Sequence, residues 1–160
     1  MNFGKLFKQS GFFLNKAAIP LVFVVSLLLF TFLQAPNKLA DPDSFYHTKL
    51  TVMLRDYGVV REFPWTQESL YKNIFIDHHL GYHIIILPFL SLFNNSLLGL
   101  QFITALLAAF TITSIVWCLK KWQVPYWGIG VLLLLTSSPL LFRLSLGKAP
   151  SLGVGLAVIG

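Results

Sequence analysis

The sequence has few charged residues and only one cysteine, and both shortages limit what the protein can be. Charged residues make up 11% of the 160-residue chain, whereas soluble domains carry about 25%. The residues are 56% hydrophobic and the apolar ones come in long blocks, so the composition favours an integral membrane protein over one with a soluble core. The one cysteine, Cys118, excludes an internal disulfide and a cysteine-ligated metal cluster.

Acidic residues are also missing from most of the chain. All six lie in one polar segment, and every histidine lies in that segment or at its far edge. The residues are Asp41, Asp43, Asp56, Glu62, Glu68 and Asp77, with His47, His78, His79 and His83. Any carboxylate or metal chemistry is therefore expected in this segment.

The net charge of +6 comes largely from cations that flank apolar runs. Lys5, Lys8 and Lys16 precede the first run, and Lys120 and Lys121 separate two later ones. Membrane proteins carry such an excess of Lys and Arg in cytoplasmic segments. The sequence shows no basic face with interleaved stacking aromatics, so nucleic acid is not an expected partner.

Residues 17–34 form the first apolar run and carry no charge. As a helix, this run just crosses a hydrocarbon core of about 30 Å. A cleaved signal peptide is the alternative, because residues 1–16 are short and basic, but the run is longer than a usual signal core and no clear A-x-A site follows. We predict an uncleaved signal anchor, with residues 1–16 in the cytoplasm and the following loop outside.

The later runs predict two more complete spans and the start of another. The predicted segments are an external loop at 35–96, a span at 97–119, a cytoplasmic turn at 120–125, a span at 126–142, an external loop at 143–150 and a truncated span at 151–160. Ten helical residues cover only about half a bilayer. We therefore expect an all-α polytopic membrane protein, and the chain to be the N-terminal fragment of a longer one.

The external loop 35–96 predicts surface helices rather than spans. Tyr46, Leu50, Met53 and Tyr57 recur at helical spacing and predict an amphipathic helix over 44–57, which Gly58 ends. Residues 59–65 are expected to be extended and to end in a Phe-Pro-Trp corner, and a second helix is predicted within 66–80. The apolar stretch 84–93 is too short to cross a bilayer.

Asp41 and Asp43 are the first candidate site. Two carboxylates so close in a turn can hold one hard cation, or one can act as a general base. Asp41 before Pro42 is also typical of a helix N-cap. The spacing leaves both interpretations open.

The histidines provide further candidates. His47 follows Asp43 by four residues on the same helix face, where it can bind a carboxylate, a phosphate or a metal, or lie at the membrane interface. His79 and His83 have the i, i+4 spacing of a helical zinc site, with His78 beside them. Contacts to a substrate or to the Asp41 loop, and ordinary interfacial histidines, are the alternatives.

Arg143 and Lys148 lie in the predicted external loop, against the usual distribution of cations. Arg binds phosphate with two parallel hydrogen bonds, so this loop is a candidate for anchoring a lipid phosphate. Snorkelling from a helix end is the alternative.

Together these residues resemble a known family. The stretch Asp41-Pro42-Asp43-Ser44-Phe45-Tyr46-His47, which follows a span and continues into an amphipathic helix, resembles the first external loop of GT-C glycosyltransferases. It is most similar to the catalytic subunits of oligosaccharyltransferases, with Lys49 as the basic residue after Tyr-His. Residues 81–89 resemble the segment that leads into the second span, and the order of spans and loops matches too.

The resemblance implies a GT-C-like transmembrane bundle in a bacterial or archaeal cell membrane. It implies an enzyme that transfers a sugar from a polyprenyl-phosphate-linked donor to an acceptor on the extracytoplasmic side. Asp41 and Asp43 would be catalytic and would bind a divalent cation, Mg²⁺ or Mn²⁺. The substrate would contact His47, His79, His83, Arg143 and Lys148.

Two departures from the family limit this expectation. The loop 143–150 has no acidic residue, and Tyr82-His83 stands where relatives have a double proline. A broader transferase acting on lipid, glycan or protein is therefore expected rather than peptide N-glycosylation. The alternative is a non-catalytic polytopic membrane protein, such as part of a transporter or an assembly subunit, although the predicted spans contain none of the ionisable residues that transport pathways use.

Overall fold

The computed structural model describes residues 3–34, 41–63 and 68–160, with side chains from residue 17 onward. The described residues form seven α-helices and one 3₁₀ turn, and no strand. The helices are α1 (Phe3–Leu33), α2 (Asp43–Tyr57), α3 (Leu80–Leu92), α4 (Ser96–Lys121), α5 (Trp127–Thr136), α6 (Ser138–Leu144) and α7 (Ala149–Ile159), and the 3₁₀ turn is Leu70–Lys72. The expected all-α class is confirmed.

Helix α4 is the centre of the bundle and packs against α1, α3 and α7. Its buried face is rich in small residues such as Ala105, Ala108 and Ala109, which allow neighbouring helices to approach closely. The closest approach is at Gly99, where a Cβ atom would lie 2.8 Å from the carbonyl oxygen of Phe89 in α3. At this position only glycine lets α3 and α4 touch through their backbones.

The two ends of the bundle differ in chemistry. At one end, the last turn of α4 carries Lys120 and Lys121, whose ammonium groups lie over the rings of Trp127 and Trp117 at 5.2 and 4.7 Å. At the other end, Gln34 after α1 donates from Nε2 to the carbonyl oxygen of Ser145, which follows α6, at 2.8 Å. The α6–α7 loop and the start of α2 meet at this second end.

Helix α4 matches the predicted span 97–119, but the described residues do not support three complete spans. Among the described residues, α4 is the one unbroken helix that is long and apolar enough to cross a membrane, and α5 with α6 qualifies only as a pair bent by 72°. Residues 17–33 and α7 are shorter apolar helices. The prediction of one helix over 126–142 is wrong, because Pro139 lacks the N–H that a continuous helix would need.

The polar segment between α1 and α3 also differs in part from its prediction. Helix α2 confirms the helix over 44–57, and Gly58 ends it with a φ of 79°. Of the second helix predicted within 66–80, the described residues before α3 contain only the short 3₁₀ turn Leu70–Lys72. Backbone hydrogen bonds from the N–H of Phe63 to the carbonyl oxygen of Tyr71, and from the N–H of Phe75 to that of Arg61, instead connect two irregular segments. The Pro-Trp corner at 64–65 lies outside the described residues.

Candidate functional site

Lys148 joins the two carboxylates of the first candidate site. Its Nζ atom lies 2.6 Å from Oδ2 of Asp41 and 2.7 Å from Oδ2 of Asp43. The cation comes from the α6–α7 loop and the carboxylates from the start of α2, so residues 105 positions apart in sequence form one cluster. Two negative charges and one positive charge leave a net charge of −1.

Asp41 is both a helix cap and a member of this cluster. Its Oδ1 accepts hydrogen bonds from the backbone N–H groups of Asp43 and Ser44, which belong to the first turn of α2, where N–H groups have no acceptor within the helix. Its Oδ2 faces Lys148. The helix-cap interpretation is therefore confirmed by Oδ1, while Oδ2 pairs with an ammonium group, and the metal-binding and general-base interpretations stay predictions.

The loop that carries Lys148 is fixed mainly through its backbone. The N–H of Gly147 donates to Oγ of Ser44, which is completely buried, at 3.2 Å. A Cβ atom on Gly147 would lie 3.0 Å from Cδ2 of Leu100 and 3.2 Å from that same hydroxyl oxygen. Lys148 thus follows a residue whose position is set by close contact with α2 and α4.

Electrostatics favour the ionised forms of Asp41 and Lys148. Burial opposes ionisation of Asp41, but the hydrogen bonds from Lys148 and from the Asp43 backbone outweigh it and hold the pKa of Asp41 below 3.8. The same two carboxylates raise the pKa of Lys148. Asp43 is 67% exposed, and its Oδ1 accepts no hydrogen bond from the described residues. Its side chain is the accessible carboxylate of the pair.

The cluster does not fit the expected divalent cation as it stands. Mg²⁺ or Mn²⁺ would need the Oδ2 atoms that already face Lys148, and would have to displace that side chain. Among the described residues, no three His, Cys, Asp or Glu side chains are grouped to hold a metal ion. His78, His79 and His83, the residues of the zinc alternative, are likewise not grouped to hold a metal ion.

A second buried constellation lies between α2 and α3. Nδ1 of His47 is 2.8 Å from Nε2 of His83, and Nδ1 of His83 is 2.6 Å from Oδ2 of Asp77. The other oxygen of Asp77 accepts the backbone N–H of His79 at 2.9 Å. Asp77, His83 and His47 thus form a hydrogen-bonded chain, and the contact between His83 and the helix of the Asp41 loop matches one of the sequence alternatives.

His47 is held neutral in this chain. Burial lowers its pKa from 6.5 to about 4, together with the His83 and His79 rings and the Lys148 ammonium group, while Asp43 acts in the opposite direction. His47 is 4% exposed and His83 is fully buried. Direct contact between either ring and a substrate would require α2 and α3 to separate.

The remaining predicted residues lie around these two groups. His79 is exposed, and its ring centroid is 5.1 Å from that of His47. With Tyr46, Phe63, Tyr71, Phe75, Ile76 and His78 it lines a cavity of about 350 Å³. Arg143 is exposed near the end of α6 and forms no ion pair with the described residues, so it stays available to an external anion.

Sequence reasoning missed three residues that build the site. Asp77 has no predicted role beyond being one of the six acidic residues, although its position before α3 is typical of a residue that accepts helix N–H groups. No local pattern marks Ser44 and Gly147, because the role of each depends on its contact with the other, 103 residues away in the sequence.

Comparison of the chain with protein-family models, with curated proteins and with solved structures finds no match.

Proposed function

We propose that the chain is part of a membrane glycosyltransferase of the GT-C type, which transfers a sugar from a polyprenyl-phosphate-linked donor to an acceptor on the extracytoplasmic side. The observation that carries the proposal is the cluster of Asp41, Asp43 and Lys148. It brings the acidic motif of the first loop against the cation of the second. An accessible carboxylate beside a cation is what transfer from a phosphate leaving group requires.

The surface of the bundle supports a membrane location. Large apolar side chains are exposed along α1, α3, α4, α5 and α7, whereas soluble monomers rarely expose large contiguous apolar patches. The exposed residues include Leu21, Leu28 and Phe32 on α1, Ile84 on α3, Phe102 on α4, Leu132 and Leu133 on α5, and Leu156 on α7. A bilayer would cover these residues, with α1, α4 and the bent α5–α6 pair as the three proposed spans.

The charges support one orientation in that bilayer. The six acidic residues lie in the polar segment that joins α1 to α3, and Lys148 meets two of them at one end of the bundle. Lys120 and Lys121 lie at the opposite end. With the basic end in the cytoplasm, the cluster faces outward, where polyprenyl-linked donors and their acceptors would meet.

The residues divide the reaction between them. The acceptor hydroxyl attacks the anomeric carbon, its proton passes to Asp43, and the bond from that carbon to the phosphate oxygen breaks with its electron pair on the phosphate. The ammonium group of Lys148 has three N–H donors, of which two face carboxylates. The third, with the exposed Arg143, would bind the departing phosphate.

Single substitutions test the proposal in the full-length protein. Asp43→Asn and Asp41→Asn keep the side-chain volume and remove the charge. Asp56→Asn is the control, because among the described residues Asp56 forms an ion pair only with its neighbour Arg55 on the surface. We expect consumption of a polyprenyl-phosphate sugar to fall at least about 100-fold in Asp43→Asn, as for loss of a general base, and to stay unchanged in the control. Unchanged turnover in both cluster variants would overturn the proposal and favour a non-catalytic membrane protein.

A further inference from the structure

The position between Asp41 and Asp43 is where the resemblance places a divalent cation, and in this chain a side chain lies there. Lys148 Nζ is 2.6 Å from one carboxylate and 2.7 Å from the other, which are normal lengths for a charge-assisted N–H···O bond. Both carboxylates present the same Oδ2 face to it. A metal ion bound by this pair would need those same two atoms.

Lys148 is not a surface cation that happens to lie nearby. It stands at the N-cap of α7, with an extended backbone at φ −131° and ψ 159°, and a cation is electrostatically unfavourable at a helix N-terminus. The close fit of Gly147 against Leu100 and Ser44 holds it there. The two carboxylates thus offset the unfavourable interaction between the ammonium group and the N-terminal end of the α7 dipole.

We propose that Lys148 takes the place of a divalent cation between Asp41 and Asp43, so that the transferase proposed above uses no bound metal ion at this cluster. The ammonium group supplies one positive charge where a metal would supply two. The cluster therefore keeps a charge of −1, and Asp43 keeps an oxygen that can accept the proton. A metal on both carboxylates would stabilise the ionised form of Asp43 further and make it a weaker base.

Metal binding itself tests this inference without any reaction. Purified full-length protein in detergent is titrated with Mn²⁺, and the free ion is measured by electron paramagnetic resonance. We expect the wild type to bind no Mn²⁺ at this cluster at up to about 100 μM, a concentration above the dissociation constants of about 0.1–10 μM that are typical of sensor-type calcium sites. Lys148→Met removes the ammonium group at similar length and should create one Mn²⁺ site, which Lys148→Met with Asp43→Asn should lose.

Two further variants and one assay complete the test. Lys148→Arg keeps the positive charge and should bind no Mn²⁺, as in the wild type. If Lys148→Met does not fold, as judged by helical circular dichroism, the titrations of the wild type and of Asp43→Asn decide. A wild-type site that Asp43→Asn removes would overturn the inference, and no difference between them would support it.

The same experiments separate this inference from the proposed function. Wild-type turnover that survives a chelator supports both. Turnover that a chelator abolishes and Mn²⁺ restores, together with a wild-type Mn²⁺ site that Asp43→Asn removes, overturns the role of Lys148 and leaves the transferase in place. Absence of any turnover would count against the transferase alone, because the Mn²⁺ titration reads the cluster directly.

Discussion

His47 of α2 and His83 of α3 form a buried hydrogen bond between two ring nitrogens, Nδ1 and Nε2, which lie 2.8 Å apart. Asp77 accepts from the other nitrogen of His83, so a neutral His83 carries its proton on Nδ1 and leaves Nε2 bare. His47 must then be the donor and also carry its proton on Nδ1. One carboxylate therefore sets the tautomers of two rings.

The first prediction concerns these tautomers. Long-range ¹⁵N–¹H NMR of histidine-labelled protein at pH 7 should show both His47 and His83 protonated on Nδ1. Asp77→Leu removes the acceptor and should return His83 to a mixture of tautomers, whereas Asp56→Asn should change neither ring. A His83 ring protonated on Nε2 and not on Nδ1 in the wild type would contradict its hydrogen bond to Asp77.

The second prediction is a loss of stability in mild acid. The pKa of His47 is lowered from 6.5 to about 4 in the folded state, so between these values the unfolded chain binds more protons. The free energy of unfolding should therefore fall as the pH drops from 6.5 to 4, by at most about 3 kcal/mol from this group.

Two histidine variants check that prediction by thermal unfolding in detergent across the pH range. His47→Gln should flatten the slope between pH 6.5 and 4. His78→Gln is the control, because His78 is exposed, and it should keep the wild-type slope. An equal slope in His47→Gln and the wild type would assign the acid sensitivity to another group.

The third prediction concerns the contact between α3 and α4. A Cβ atom at position 99 would lie 2.8 Å from the carbonyl oxygen of Phe89 and 2.9 Å from Cα of Leu90. Since backbone atoms cannot rotate away, Gly99→Ala should lower the free energy of unfolding by about 1–3 kcal/mol, as overpacking does. Gly153→Ala in α7 meets nothing within 4 Å and should be neutral or slightly stabilising. Equal melting temperatures for both variants would contradict the close approach.

The fourth prediction tests the orientation of the bundle. Leu70 and Trp122 are strongly exposed and belong, respectively, to the acidic loop and to the end of α4. In a Cys118→Ala background, Leu70→Cys should react with a membrane-impermeant maleimide added to intact cells. Trp122→Cys should react only after the membrane is opened. Labelling of both from the same side would rule out the proposed topology.

The sequence predicted the local features of the site and missed those made by distant contacts. Asp41 as a cap, α2 and its stop at Gly58 follow from turn and helix chemistry that operates within a few residues. The contact between Asp41 and Lys148 does not, because no local pattern relates residues so far apart. Of the predicted apolar stripe of α2, Leu50 and Met53 are buried and Tyr57 is exposed, whereas the buried polar residues Ser44 and His47 were missed. A hydrophobic pattern cannot identify polar residues such as these, whose burial depends on hydrogen-bond partners from elsewhere in the fold.

The close fit at Gly147 has a consequence for interpreting natural variants of this protein. Replacing Gly147 by Ala adds one methyl group and no charge, and would pass as a conservative change. That methyl would press on Leu100 and on the Ser44 hydroxyl, and the loop would yield by moving the residue that follows. Gly147→Ala should therefore behave like a partial loss of the Lys148 cation. The size of its effect would depend on how far Lys148 moves, although Lys148 itself is not substituted.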